Sequence, residues 1–253
     1  MIIDAPTRDQ IPALRRLWQE AFGDSDGFLN LFFGSAYAPD RCRCVTEQGE
    51  VTAALYWLDC DCHGQRIAYL YAVATAQARR GRGLCRLLME NTHAHLAALG
   101  YTGALLVPGT EDLFRLYQKL GYGSCCEIQT LHGTASQEAI PLRSVEIQEY
   151  AILRRALLPD GGVIQEGENL RFLQGQAKLY AGEGFLLAAR HGQNRLFGLE
   201  LLGDTSHIPA ILSTLGAAEG TFRTPGNGQP FGMYLPLGEH PSLPPTYFGL
   251  AFD

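Results

Sequence analysis

Six residues, Arg80-Gly81-Arg82-Gly83-Leu84-Cys85, join two segments of opposite character. Residues 67–75 are a continuous apolar run of strand type, and residues 84–99 have the spacing of a helix. Strand, glycine turn and helix in that order commit the region to an α/β arrangement. They also create a site. The N–H groups of a first helical turn have no partner inside the helix, and the helix dipole favours negative charge there. Gly81 and Gly83 carry no Cβ, so backbone can approach an anion closely. Arg79, Arg80 and Arg82 add positive charge and bidentate donors. The reading is a phosphate-binding turn. Its spacing excludes the mononucleotide loop, which ends in Gly-Lys-Ser/Thr, and the dinucleotide fingerprint, whose third glycine is replaced here by Arg86.

A second pattern lies about thirty residues on. Thr110 can cap a short helix, Glu111 and Asp112 suit its first turn, and Gly121 closes it before Tyr122. Leu113, Leu116, Tyr117 and Leu120 fall at i, i+3, i+4 and i+7 and predict one apolar face. A strand-like run at 103–107 precedes the helix and ends at Pro108-Gly109.

Arg80, Gly83 and Cys85, read as Arg-x-x-Gly-x-small, resemble the acetyl-coenzyme A pyrophosphate loop of the GCN5-related N-acetyltransferases, the GNAT family. Cys85 stands where that family usually has Gly or Ala. The strand, short helix and Gly-aromatic at 103–122 are similar to the same family's next elements. Upstream, Thr7 caps an expected helix to about Phe22, a second helix is expected at 26–37, and strands at 43–47, 51–60 and 66–75. The resemblance covers roughly residues 1–132. It implies a mixed, mostly antiparallel sheet flanked by helices, and an acyltransferase moving acetyl from acetyl-coenzyme A to a primary amine of a small molecule or peptide. It implies that Arg80, Gly81, Arg82, Gly83, Leu84 and Cys85 bind the coenzyme's pyrophosphate. It implies that backbone groups of Val73, Ala74 and Thr75 hold the pantetheine arm. It implies that Tyr117 is the general acid that protonates the leaving thiolate; by periodicity alone Tyr117 is equally a core residue.

Transfer to an amine also needs the amine neutral, and an alkyl amine has a pKa near 10. Many family members carry a glutamate on the strand before the loop. Here that strand, 67–75, has no carboxylate. Glu127, Asp59, Asp61, the terminal Asp253 and water remain as candidate bases. The missing carboxylate supports an alternative, a catalytically weak or inactive protein that binds acyl-coenzyme A or senses a ligand.

The formal charge of −6 argues against nucleic acid as a main partner. No apolar run approaches the ~20 residues that span a bilayer, and residues 1–9 lack the pattern of a signal peptide, so a cytoplasmic protein is expected. Cys42-Arg-Cys44 and Cys60-Asp-Cys62 suggest a zinc site at first sight. Structural zinc prefers wider C-x₂₋₄-C spacing. A hairpin turning near Gly49 would also set residue 42 opposite about residue 56. Free thiols and no metal are expected.

Residues 133–141 are polar and aperiodic, placing a boundary between an acetyl-coenzyme A domain at 1–135 and a second, smaller α/β domain at 142–253. Helices are expected at 144–157, 168–176 and 209–215, a hairpin at 184–202, and strands at 222–223, 232–237 and 247–252. The order resembles a degenerate second GNAT domain without the arginine–glycine loop; a sterol-carrier-like domain is the alternative. A tandem arrangement favours a monomer. The loop-rich segment 222–233, with Arg223, reads as a Gly/Pro connection, with lining of an acceptor site as the other possibility.

Overall fold

The computed structural model describes residues 1–238 and 243–252. Its first half runs β1 (Ile2–Asp4), α1 (Ile11–Phe22), α2 (Asp26–Ser35), β2 (Cys42–Glu47), β3 (Glu50–Cys62), β4 (Gln65–Thr75), α3 (Leu84–Ala98), β5 (Gly103–Leu106), α4 (Glu111–Gln118) and β6 (Gly123–Thr134). The second half runs β7 (Leu142–Ser144), α5 (Ile147–Leu157), β8 (Ile164–Gln165), α6 (Glu168–Gln174), β9 (Lys178–Gly182), β10 (Phe185–His191), β11 (Arg195–Gly203), α7 (Ile208–Thr214), β12 (Glu219–Pro225) and β13 (Gln229–Pro236). The expected elements of the first half are present within one to three residues at each end.

Among the described residues the strands join in one sheet, ordered β1-β2-β3-β4-β5-β13-β6-β12-β11-β10-β9-β7, with β8 alongside β3. Neighbours are antiparallel except β4 with β5 and β11 with β12. Each parallel pair is joined through a helix, α3 in the first half and α7 in the second, as a crossover requires. The order β1-α1-α2-β2-β3-β4-α3-β5 is thus repeated, apart from the short β8, as β7-α5-α6-β9-β10-β11-α7-β12. The halves also exchange strands. β13 lies between β5 and β6, and β6 lies against β12. A cut at the sequence boundary near residue 135 would therefore remove a strand from the interior of the sheet.

Two expectations for the second half are corrected. Residues 222–233 are not a connection but the end of β12 and the start of β13, which both run antiparallel to β6 and are joined through 226–228. Every second residue of β12 points into a core, which the Gly and Pro around the turn obscured. Residues 247–252 form no strand; Tyr247 makes a single bridge to Gly162, and the segment lies across the sheet as an extended strap. Strap residues Phe248 and Phe252 pack on Tyr69, with ring centroids 4.7 and 6.3 Å away. The apolar character read as a strand is the burial of that strap.

The helices cover both faces. One core lies under α1, α2, α5, α6 and the strap; another lies under α3 and α4; a third lies under α7. A buried ion pair lies within the second half. Arg154 of α5 meets both carboxylate oxygens of Glu200 on β11, at 2.7 and 2.9 Å. The Tyr150 and Tyr247 hydroxyls donate to the same carboxylate at 3.2 Å each, so its charge is fully partnered. At the strand exchange, Gly103 on β5 is required by close approach. A Cβ there would overlap the Tyr234 ring of β13.

Cys42 faces Tyr56 and Cys44 faces Ala54, as the turn at Gly49 implies, while Cys60 and Cys62 face Ile67 and Gln65. Among the described residues no cluster has the makings of a metal site, and no helix is long and apolar enough to cross a membrane.

Candidate active site

Helix α3 begins at Gly83, whose φ of +77° places its backbone in the left-handed region, as does the +75° of Gly81. The space where a Cβ would stand is open at both residues, so their positive φ rather than crowding calls for glycine. Leu84 is buried in the core under α3 and anchors the first turn. The turn before it is held from outside. Gln77 donates its backbone N–H to Glu20 of α1 at 2.6 Å, and Arg80 Nε donates to the Thr75 carbonyl at 3.1 Å. Arg79 lies 3.8 Å from Glu50. Arg82 is exposed and makes no ion pair among the described residues.

Leading into this turn, β4 is bent by a bulge. Tyr71 pairs with Tyr56 and Ala74 with Ala54, so Ala72 and Val73 together oppose Leu55. Ala72 has φ +48°, a conformation that costs an L residue about 1 kcal/mol. A bulge re-aims the strand that carries it. Here the pairing of β4 with β5 ends at Tyr69 opposite Leu105. Beyond that point the two strands diverge, and the edge of β4 from Leu70 to Thr75 no longer pairs with β5.

The divergence opens a cavity of about 620 Å³. Its walls draw on two cores at once. Leu70, Val73, Leu106 and Tyr117 belong to the core under α3 and α4, while Trp18, Phe28, Tyr69, Tyr71 and Phe252 belong to the core under α1, α2 and the strap. Side chains alternate between faces along a strand, so a cavity lined from both cores passes through the sheet. Among the described lining residues the charged side chains are Asp24 and Arg190.

Tyr117 sits on α4, whose Thr110 cap accepts the Leu113 N–H at 3.3 Å. Its ring is buried edge-on to Tyr122 at 5.8 Å. Burial, with a smaller contribution from the neighbouring Cys85, raises its pKa above the usual phenol value, so it holds its proton at neutral pH. Among the described residues its hydroxyl has no hydrogen-bond partner. The expected apolar face of α4 is corrected: Leu113 and Leu116 are 37 % and 36 % exposed, and Tyr117 carries the burial. Leu113 instead stands in the cavity wall.

The expected residues therefore gather at one place in part. Val73 and Tyr117 line the cavity, and Ala74, Thr75 and the 80–85 turn continue from it. The candidate bases do not gather there. Asp59 is held by Arg66 at 3.0 Å and by the Tyr101 hydroxyl, near the hairpin end of β3. Asp61 is opposite Arg66 at that same end. Glu127 lines a separate cavity of about 430 Å³, and Asp253 lies outside the described residues. Arg223 stacks over Phe231 at 4.4 Å and donates to the Gly249 carbonyl at 3.0 Å, so it helps hold the strap. Periodicity did not single out Asp24, Tyr71, Arg190 or Phe252. An acid in the turn after an aromatic-rich helix is the nearest signal for Asp24.

Residues 3–125 match the model of the acetyltransferase (GNAT) domain. No curated protein matches the chain. Among solved structures, a GCN5-related N-acetyltransferase from Kribbella flavida superposes with a TM-score of 0.73 at 18% identity, over 92% of this chain and 70% of that one. A GCN5-related N-acetyltransferase from Anabaena variabilis gives 0.72 at 16% identity, over 92% and 72%. At such identities the likeness is one of fold, and it extends over both halves.

Proposed function

We infer that this chain, whose residues 3–125 belong to the GNAT acetyltransferases, moves an acetyl group from acetyl-coenzyme A to a primary amine of a small molecule or peptide. The observation that carries this reading is the opening between β4 and β5. It joins an anion cradle at the start of α3 to a cavity that reaches both faces of the sheet, with an unpartnered phenol in its wall.

The residues present suit the coenzyme. Gly81, Gly83 and the first N–H groups of α3 would take the pyrophosphate, assisted by Arg80 and Arg82, with Leu84 and Cys85 forming the turn behind it. The unpaired edge of β4 at Val73, Ala74 and Thr75 would hydrogen-bond the pantetheine arm. Holding the thioester beside the amine removes an entropic barrier. The amine attacks the thioester carbonyl carbon, a C–N bond forms and the C–S bond breaks. The ammonium loses one proton to water before attack and the new amide nitrogen loses a second, while Tyr117 gives its proton to the departing sulfur and regains one from solvent. Each turnover thus converts an ammonium and a thioester into an amide, a thiol and a released proton. The strand exchange completes the sheet within one chain, which suits a monomer, and we read the enzyme as cytoplasmic. A binding protein without turnover is the second reading, favoured by the absence of a carboxylate from β4.

The test is thermal stability with and without acetyl-coenzyme A, for wild type and Gly83→Glu, followed by thiol release with amines. A ligand at ~100 times its Kd stabilises by about 2.7 kcal/mol. A shift that Gly83→Glu abolishes, with amine-dependent thiol release, is expected. A shift without release leaves the binding reading, and no shift at millimolar ligand refutes both.

A further inference from the structure

Resting on the transfer reading above, we propose that the acceptor is a monoamine carried on an aromatic or similarly flat apolar body, with Asp24 receiving its ammonium. The side of the cavity under α1, α2 and the strap is walled by Trp18, Phe22, Phe28, Tyr69, Tyr71 and Phe252. These rings already pack edge to face. Trp18 lies 5.6 Å from Tyr71, and Phe252 lies 6.2 Å from Tyr71. The Tyr71 hydroxyl donates to the Phe252 carbonyl at 2.7 Å, which turns its polar end toward the strap and leaves its ring as wall. A flat apolar body gains area burial and ring contacts on such a surface, whereas a polyhydroxylated one would strand its hydroxyls there.

The charges in the same cavity select one ammonium. Asp24 is the carboxylate among the described lining residues. Trp18 Nε1 donates to its Oδ2 at 2.8 Å, which fixes the group, and its Oδ1 has no partner among the described residues. An ammonium on Oδ1 would lie among aromatic faces, where cations are also attracted. Arg190 is held by Gln176 at 2.6 Å and brings a permanent positive charge to the cavity wall. A polyamine would have to place a second cation beside that guanidinium. The volume agrees: about 620 Å³ must receive both the reacting end of the donor and the acceptor, which suits a small ligand rather than a large one.

The experiment titrates 2-phenylethylamine, 2-phenylethanol and spermidine into the protein without coenzyme, reading tryptophan emission. Trp18 lines the cavity, while Trp57 is buried in the other core with its Nε1 on Tyr101, so the change reports the acceptor side. Thiol release from acetyl-coenzyme A is then measured with the same amines for wild type and Asp24→Asn, which keeps an oxygen for the Trp18 N–H. We expect 2-phenylethylamine to bind about tenfold or more tightly than spermidine. Asp24→Asn should weaken that amine and raise its KM by about tenfold, while 2-phenylethanol is unchanged. Equal binding of spermidine, or equal weakening of amine and alcohol, overturns the proposal. Aromatic amine binding without thiol release would refute the transfer reading and leave the site; thiol release without aromatic preference would do the reverse.

Discussion

Tyr117→Phe separates chemistry from folding more cleanly than any other substitution in the cavity. The ring stays, with its contact to Tyr122 at 5.8 Å, and only the oxygen leaves. Because that hydroxyl has no partner among the described residues, its removal breaks no hydrogen bond, and stability should move by no more than about 0.5 kcal/mol. The rate should respond differently. General acid catalysis contributes roughly 10²–10⁴-fold, or about 3–5 kcal/mol of barrier. Burial raises the phenol's pKa, so wild-type Tyr117 is protonated throughout the neutral range, and no loss of acid should appear below about pH 10. A raised pKa gives stability that is full below the unfolded value near 10 and fades above it, so measurements at pH 7–9 sit where neither rate nor stability is titrating this group. The assay is single-turnover thiol release at saturating acetyl-coenzyme A, beside the coenzyme's Kd and the melting temperature. The expected result is a rate lower by at least about 100-fold with Kd and Tm unchanged. A rate within about threefold of wild type would refute the acid role. So would a loss of rate matched by a fall in Tm, which would make Tyr117 a packing residue.

Further outcomes follow from the cores. Glu200→Ala leaves the Arg154 guanidinium buried without its carboxylate and releases the Tyr247 hydroxyl, so urea denaturation should register a loss of about 3–5 kcal/mol. His93 is held neutral by burial, with a pKa lowered to about 4 and Tyr122 at 2.7 Å from its Nε2. Its contribution is full above the unfolded value near 6.5 and is lost as pH falls toward 4, up to about 3 kcal/mol. His93→Gln should flatten urea midpoints across pH 4–7. Ala72→Gly relieves a left-handed residue at the bulge. Melting temperature should hold or rise, and a fall would show that the Ala72 methyl contributes more through packing than its φ costs.

What could be read from the chain was what short-range chemistry dictates. The strand, glycine turn and helix at 67–98 are legible because Gly81 and Gly83 permit positive φ and Leu84 begins an apolar stripe. The opposition of residue 42 to residue 56 followed from one turn at Gly49. Long-range placement was not legible. Nothing local in 229–236 distinguishes a strand beside β12 from one reaching between β5 and β6. The strap at 247–252 imitates a strand because burial on a sheet selects the same side chains as pairing within it. On α4, spacing gave a stripe but could not know that the cavity would leave Leu113 at its wall. Asp24 and Arg190 meet one cavity from α1's end and from β10, a juxtaposition with no periodic trace.

The exchange of strands between the halves also sets a timetable. On a ribosome, β5 and β6 emerge with their facing edges bare, and the strand that fills the gap is completed about 100 residues later, roughly 5–20 s at ~5–20 residues per second. Until then the two edges are templates for any passing strand. The glycine turn at 80–83 and five rings of the aromatic wall are made before this interval, while Phe252, the sixth, follows β13. On the proposed reading, the residues for the coenzyme's phosphates are thus made before the wall for the amine is complete.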